Sequence, residues 1–307
     1  MTDLTSQIRD ARLDDHDEDV EALATTELAT ALSGASSRGV VLSGDVVSYV
    51  GALPYGQSIP LPVWVLDEGE TVTQVLSTFV LAGADVVVTP TLGCGPRDLA
   101  EAGLPESALL DVTRHAVRIA RQAAAPFVLG AVDMTRLADG DPASVLAQAQ
   151  ALCDCGVHGL LASGVQDATA SLQVIKQLAE KCHEAGGLPL VASFACDGEG
   201  FLPDGASVAR AYIDASDAGA TCLGVEGLGC TDCARLADVV TAAATETDCG
   251  LLVRPDKDPG QKGTDEVALS KCASIYIEKG VRALACGRGF GPSSTTALVH
   301  EYSVRGV

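Results

Sequence analysis

The sequence predicts an α/β chain folded as an eight-stranded (β/α)8 (TIM) barrel, and three observations carry that prediction. A glycine followed at once by a short apolar run occurs four times, at Gly83-Ala84-Asp85-Val86-Val87-Val88-Thr89, Gly156-Val157-His158-Gly159-Leu160-Leu161-Ala162-Ser163, Gly219-Ala220-Thr221-Cys222-Leu223-Gly224-Val225-Glu226 and Gly280-Val281-Arg282-Ala283-Leu284-Ala285-Cys286-Gly287-Arg288. Glycine enters the left-handed cap that ends a helix without steric cost, so each copy reads as a helix end feeding a strand. Further apolar runs at Val40–Leu42, Phe127–Val132, Leu188–Ala195 and Leu251–Val253 bring the strands to eight. The strands are short, apolar on both faces and separated by helical patterns. No Gly-x-Gly-x-x-Gly turn follows the first, which favours a closed parallel barrel over an open doubly wound sheet.

Taken in order, Met1 to His16 are charged and poor in apolar residues, which predicts an acidic tail that is mobile or partner-bound. Val20, Leu23, Leu28 and Leu32 recur near helical spacing up to Gly34, which predicts a helix that plugs the N-terminal end of the barrel. Tail and helix make up residues 1–35. No Pro-, Gly- or Ser-rich linker divides the repeat, so residues 36–307 read as one barrel domain. The stretch Gly51–Pro62 reads as a long loop over the C-terminal mouth, and Trp64 at its far end reads as a core residue. Helices are expected over about 70–81, 106–123, 142–155, 168–185, 205–218, 232–244, 265–279 and 293–302. In the second of these, Leu109, Val112, Ala116 and Ile119 face inward, while Arg114, Arg118 and Arg121 form a solvated face that His115 shares.

Composition narrows the function. Hydrophobic residues make up 47% of the 307-residue chain and aromatic residues 4%, so the core is built of Val, Leu, Ala and Gly. With 41 acidic against 20 basic residues the net charge is −21, a surface that repels phosphate backbones and anionic lipid. Nucleic acid and membrane are therefore not expected partners; protein partners, or the chain's own oligomer, are. No apolar run approaches the ~20 residues of a membrane span, and the Asp-rich N-terminus is no signal peptide. Eleven cysteines in that context point to free thiols in a reducing cytoplasm, with the chain alone or within a larger assembly. Cys153, Cys155, Cys182, Cys222 and Cys272 read as small buried hydrophobes.

Barrel chemistry sits at the C-terminal ends of the strands. The residues there are Ser43 and Asp45, Thr89, Thr91 and Cys94, Asp133, Ser163, Cys196 and Asp197, Glu226, Arg254 and Asp256, Cys286 and Arg288. Asp45, Thr91, Asp133, Glu226 and Arg288 are the candidates for binding a small anionic or thiol ligand, and Asp133 with Glu226 is the pair to examine for acid–base work. Arg288 is expected to pair with Asp45, Asp133 or Glu226, or else to receive an anion on the turn Gly287–Ser294 that opens the last helix. Cys230-Thr231-Asp232-Cys233 is a C-x-x-C at a helix start. With Cys286 it offers three sulfurs for zinc and one open position; the alternative is unpaired thiols.

The order of four segments resembles the homocysteine S-methyltransferase family. They are Val41-Leu42-Ser43-Gly44, Gly83-Ala84-Asp85-Val86-Val87-Val88-Thr89-Pro90-Thr91-Leu92-Gly93, Asp204-Gly205-Ala206-Ser207 and Gly280-Val281-Arg282-Ala283. The resemblance implies a homocysteine-binding barrel in which a cysteine after the sixth strand and two adjacent cysteines after the eighth hold zinc, and zinc keeps the substrate sulfur as a thiolate. Gly227, Gly287 and Arg288 fall at those three positions. Ser43, Pro90 and Ser163 replace an acid, an asparagine and a glutamate of the family's motifs. No cofactor is expected on that count, zinc at Cys230, Cys233 and Cys286 being the alternative. Three functions stay open, in this order: a barrel kept for binding or assembly without zinc-dependent methyl transfer; an active thiol S-methyltransferase with that relocated zinc; and an enzyme of carboxylate-based chemistry run by Asp133, Glu226 and Arg288.

Overall fold

The structure, a computed structural model, describes residues 21–36, 38–51, 59–258 and 265–306. Eight strands, β1 (Val40–Leu42), β2 (Val86–Val88), β3 (Phe127–Asp133), β4 (Gly159–Val165), β5 (Leu190–Ala195), β6 (Cys222–Gly229), β7 (Gly250–Asp256) and β8 (Ala283–Ala285), pair in sequence order. All neighbours are parallel, and β8 returns to β1 through Val40↔Ala283 and Leu42↔Ala285, so the barrel is closed. The four glycines predicted to end helices, Gly83, Gly156, Gly219 and Gly280, all have positive φ.

Strand alternation sorts the core into two shells. Val40, Leu42, Val86, Leu129, Leu161, Val191, Cys222 and Leu252 fill the barrel interior. Val41, Val87, Val128, Leu160, Leu190, Leu223, Leu251 and Leu284 face out and pack under the helices. Helix α1, helical over 21–32, adds Leu28, Ala31 and Leu32 to the interior shell and so closes the barrel floor, as its spacing predicted. Gly250 is required there, because a Cβ would stand 1.8 Å from the Leu32 carbonyl oxygen. The helix is tied down at Glu21. The Val128 N–H donates to His158 Nδ1 at 3.0 Å, which leaves His158 Nε2 to donate to Glu21 Oε2 at 2.6 Å. The acidic tail lies outside the described residues.

The remaining helices are α2 (Val46–Gly51), α3 (Leu61–Asp67), α4 (Gly69–Leu81), α5 (Pro96–Glu101), α6 (Leu109–Gln122), α7 (Pro142–Asp154), α8 (Ala168–Glu184), α9 (Val208–Asp217), α10 (Cys230–Arg235), α11 (Ala237–Thr245), α12 (Asp265–Glu278) and α13 (Pro292–Arg305). Three regions differ from expectation. Gly51 and Leu61–Pro62 belong to α2 and α3 rather than to one long loop: Pro62 sits in the first turn of α3, where its missing N–H is no loss, and residues 52–58 lie outside the described set. Trp64 in α3 is buried, as expected. The helix expected over 232–244 starts at Cys230 and breaks at Leu236, where no Gly or Pro marks the break. Helix α5 was not expected; Asp98 caps it by accepting the Gly95 N–H at 2.9 Å. Among the described residues no helix is long and apolar enough to cross a membrane.

Candidate functional site at the barrel mouth

Inward-facing positions at the C-terminal ends of β3, β4, β5, β6 and β7 are polar, in contrast to the apolar layers below them. Asp45, Asp133, Glu226 and Arg288, four of the five predicted binding residues, line one cavity of ≈270 Å³ together with Ser163, Arg254 and Asp256. Thr91 does not join them. It is buried, its Oγ1 donates to the Ala131 carbonyl at 2.6 Å, and its own carbonyl accepts from Gln148 Nε2 at 2.6 Å, so it ties β2 to β3.

Glu226 forms the floor of the cavity. Its carboxylate accepts from Ser163 Oγ at 3.0 and 3.1 Å and from Ser193 Oγ at 2.8 Å, and Arg254 Nη1 lies 3.3 Å from Oε2. Burying a carboxylate is costly unless it is paired and hydrogen-bonded, and β4, β5 and β7 supply those partners. No ion pair or hydrogen bond joins Glu226 to Asp133. Asp133 instead accepts from Thr135 N at 3.0 Å and Thr135 Oγ1 at 2.5 Å, capping the 3₁₀ turn that follows β3. Asp45 caps α2 in the same way, accepting from Ser48 N at 3.2 Å and Ser48 Oγ at 2.7 Å.

Arg288 is paired, but with Asp256 rather than with Asp45, Asp133 or Glu226. Asp256 Oδ1 accepts the Arg288 backbone N–H at 2.7 Å, and Oδ2 accepts from Nε and Nη2, both at 2.9 Å. The nearby Asp256 charge, reinforced by that hydrogen bond, raises the guanidinium pKa further. The carboxylate lies over Gly287, where a Cβ would stand 2.2 Å from Asp256 Oδ1 and 2.7 Å from the Pro255 carbonyl oxygen. The partner differs from the expected carboxylates because Asp256, three residues past Val253 at the end of β7, meets the turn after β8 directly.

The cysteines are dispersed. Cys230 Sγ donates to the Asp256 carbonyl at 3.6 Å and Cys233 Sγ to Tyr276 Oη at 3.8 Å, both beneath the mouth, while Cys286 lies buried against α13 with its thiol pushed up to about 12 by burial. Among the described residues no group of three or more His, Cys, Asp or Glu side chains is placed to hold a metal ion.

With this geometry the chain can be set beside known proteins. The sequence model of homocysteine S-methyltransferases matches residues 57–300. The chain belongs to the homocysteine S-methyltransferase family. No curated protein sequence matches it. Among solved structures, the oxidised form of the homocysteine methyltransferase MmuM from Escherichia coli superposes with a TM-score of 0.71 at 18% identity, covering 85% of this chain and 95% of that one. The metallated form of the same protein gives 0.69 at 18% identity, covering 86% and 96%. A dihydropteroate synthase from Xanthomonas albilineans gives 0.53 at 13% identity over 88% and 92% of the chains, a likeness of fold alone.

The residues of this homocysteine S-methyltransferase family member do not fit the zinc its resemblance implies. Gly227 has φ +80°, a left-handed backbone that a cysteine adopts only under strain, and the Asp256 carboxylate fills the space a side chain at 287 needs. At 288 stands a guanidinium already bound to that carboxylate.

Proposed function

We propose that this chain is a small-molecule-binding member of its family that does not carry out zinc-dependent methyl transfer to homocysteine. The observation that carries the reading is the Asp256–Gly287–Arg288 clasp, in which a carboxylate and a guanidinium take up the volume and the charge that two thiolates and a divalent ion require. Without a metal to hold it as a thiolate, a homocysteine sulfur would stay largely protonated at neutral pH and be a poor nucleophile. What remains is a polar cavity with fixed charges on a rigid scaffold, which supports binding. Asp133 and Glu226 are each committed to hydrogen-bond partners of their own, which also favours a binding or assembly role over acid–base chemistry run by that pair. The test is methionine formation from homocysteine and a methyl donor, with and without added zinc. The account expects none above background in either case; zinc-dependent turnover that is lost on Cys233→Ser or Cys286→Ser would replace it with the relocated-site reading.

A further inference from the structure

Away from the mouth, the outer face of α6 has a charge opposite to that of the chain. The chain as a whole carries −21, yet Arg114, Arg118 and Arg121 follow one another on this helix at spacings of four and three residues, so their side chains project from one face. They line a groove of ≈510 Å³ between α6 and the C-terminal end of α7, with Val117, Asp154 and Cys155 in its other walls. That volume is nearly twice the ≈270 Å³ of the mouth cavity, room for a row of side chains rather than for a single ion.

The three guanidiniums differ in what they already hold. Arg114 Nη1 donates to Asp111 Oδ1 at 3.0 Å, a pair exposed on both sides. Arg121 Nη2 donates to the Gly156 carbonyl at 2.8 Å and stands 3.1 Å from Glu21 Oε1. Arg118, between them and exposed, makes no ion pair or hydrogen bond among the described residues. Asp154, in the groove wall, accepts from Gln150 Nε2 at 2.8 Å instead. Like charges one turn apart on a helix repel, and opposite charge laid along the row relieves that repulsion.

Glu21 shows where such charge is at hand. It is the first described residue, it belongs to α1, and its carboxylate is already seated at the Arg121 end of the row. Just before it the sequence reads Asp14-Asp15-His16-Asp17-Glu18-Asp19-Val20, with five carboxylates in residues 14–19. Seven residues of helix separate Arg121 from Arg114, about 10 Å along the axis, and three residues of extended chain cover about the same distance. The carboxylates of residues 14–19 are therefore within reach of both Arg118 and Arg114. A segment tethered at Glu21 meets the groove at an effective concentration of roughly millimolar, so exposed ion pairs too weak to hold a separate peptide can hold this one.

We propose that the acidic segment at residues 14–19 docks in the α6 groove of its own chain, with its carboxylates on Arg118 and Arg114, and so continues the contact that Glu21 makes with Arg121. Docked there, the segment is a second fastening for the helix that closes the barrel floor. This contact is independent of what the mouth binds.

The test is cross-linking of the full chain carrying Arg118→Lys with a water-soluble carbodiimide, which joins an amine only to a carboxylate in direct contact with it. The substitution keeps the charge at an exposed position. An equal mixture of ordinary and isotope-labelled chains separates links within one chain from links between two. Mass spectrometry of the peptides is expected to find position 118 linked, within one chain, to a carboxylate of residues 14–19. The yield of that link is expected to fall at least about threefold between about 0.1 M and about 1 M salt, as the screening length shrinks from about 10 Å to about 3 Å. Links from position 118 to Asp111, Asp154 or Glu21 alone overturn the proposal, as does a link to the segment whose yield ignores salt. Links found only between chains place the segment of a second copy in the groove and overturn docking within one chain.

Discussion

The clasp over Gly287 can be taken apart one atom group at a time, and the structure ranks the costs. Arg288→Ala removes two N–H···O contacts from a side chain that is 66% exposed, where solvent screens the pair, so the loss is expected to be only ~0.5–1 kcal/mol. Asp256→Ala removes the same contacts and also the acceptor of the Arg288 backbone N–H, from a side chain only 13% exposed, which raises the expected cost to ~2–3 kcal/mol. Gly287→Ala puts a methyl group 2.2 Å from Asp256 Oδ1 and 2.7 Å from the Pro255 carbonyl oxygen, an overpacking cost of ~1–3 kcal/mol. In an Asp256→Ala background the first clash is gone and the second stays, so the cost of Gly287→Ala should fall without vanishing. Urea unfolding of the wild type and these variants, with the denaturant slope checked for constancy, reads all of these differences. The reasoning is refuted if Arg288→Ala costs as much as Asp256→Ala, or if Gly287→Ala costs the same with and without the Asp256 carboxylate.

Three further outcomes are expected. Leu28→Ala should destabilise the chain by ~2–4 kcal/mol in urea unfolding, because Leu28 is fully buried against the barrel interior; a change below about 0.5 kcal/mol would mean that α1 does not close the floor. Burial raises the thiols of Cys182, Cys196 and Cys286 to about 12 and of Cys153 to about 11 from 9.0. These groups stay protonated when folded and ionise when unfolded, so their contribution is intact below pH 9 and is lost as pH rises from 9 toward 12, by up to ~1.4 kcal/mol per pH unit per thiol. A urea midpoint that stays constant to about pH 10.5 contradicts this. Ellman titration of the native protein should find Cys153, Cys155 and Cys249, the three that are only partly buried, reacting ahead of the other eight, and all eleven reacting in denaturant; reaction of Cys230 or Cys233 ahead of these three would show that the helix α10 region opens.

Much of the barrel could be read from local chemistry. Glycine caps such as Gly83 and Gly219 sit where only a left-handed residue ends a helix, and they fix each strand start to within a few residues. The plugging helix was legible because Leu28 and Leu32 stand one turn apart with no other core to enter. Helices α5 and α10 are six residues each and carry too little periodicity to announce themselves. At the mouth, Asp45, Asp133, Glu226 and Arg288 could be placed because the ends of barrel strands face inward at alternate positions. Their partners could not. Whether Arg288 meets Asp256 or Glu226 depends on the stagger between β7 and β8, which only closure of the ring decides. Ser193 went unread inside an apolar strand, although its alternation with Val191 puts it on the inner face, level with Glu226's other partner Ser163. Arg254 carried a stronger signal, an arginine at the end of an apolar strand, but its contacts with Ser163 and Glu226 emerge only once its neighbours are in place.

The central claim is that the clasp, and not a metal, occupies the mouth, and zinc stoichiometry tests it most directly. Elemental analysis of the full chain, purified without chelators and equilibrated with zinc, should give well below one zinc per chain, unchanged by Cys233→Ser or Cys286→Ser. One zinc per chain that either substitution abolishes would contradict the account.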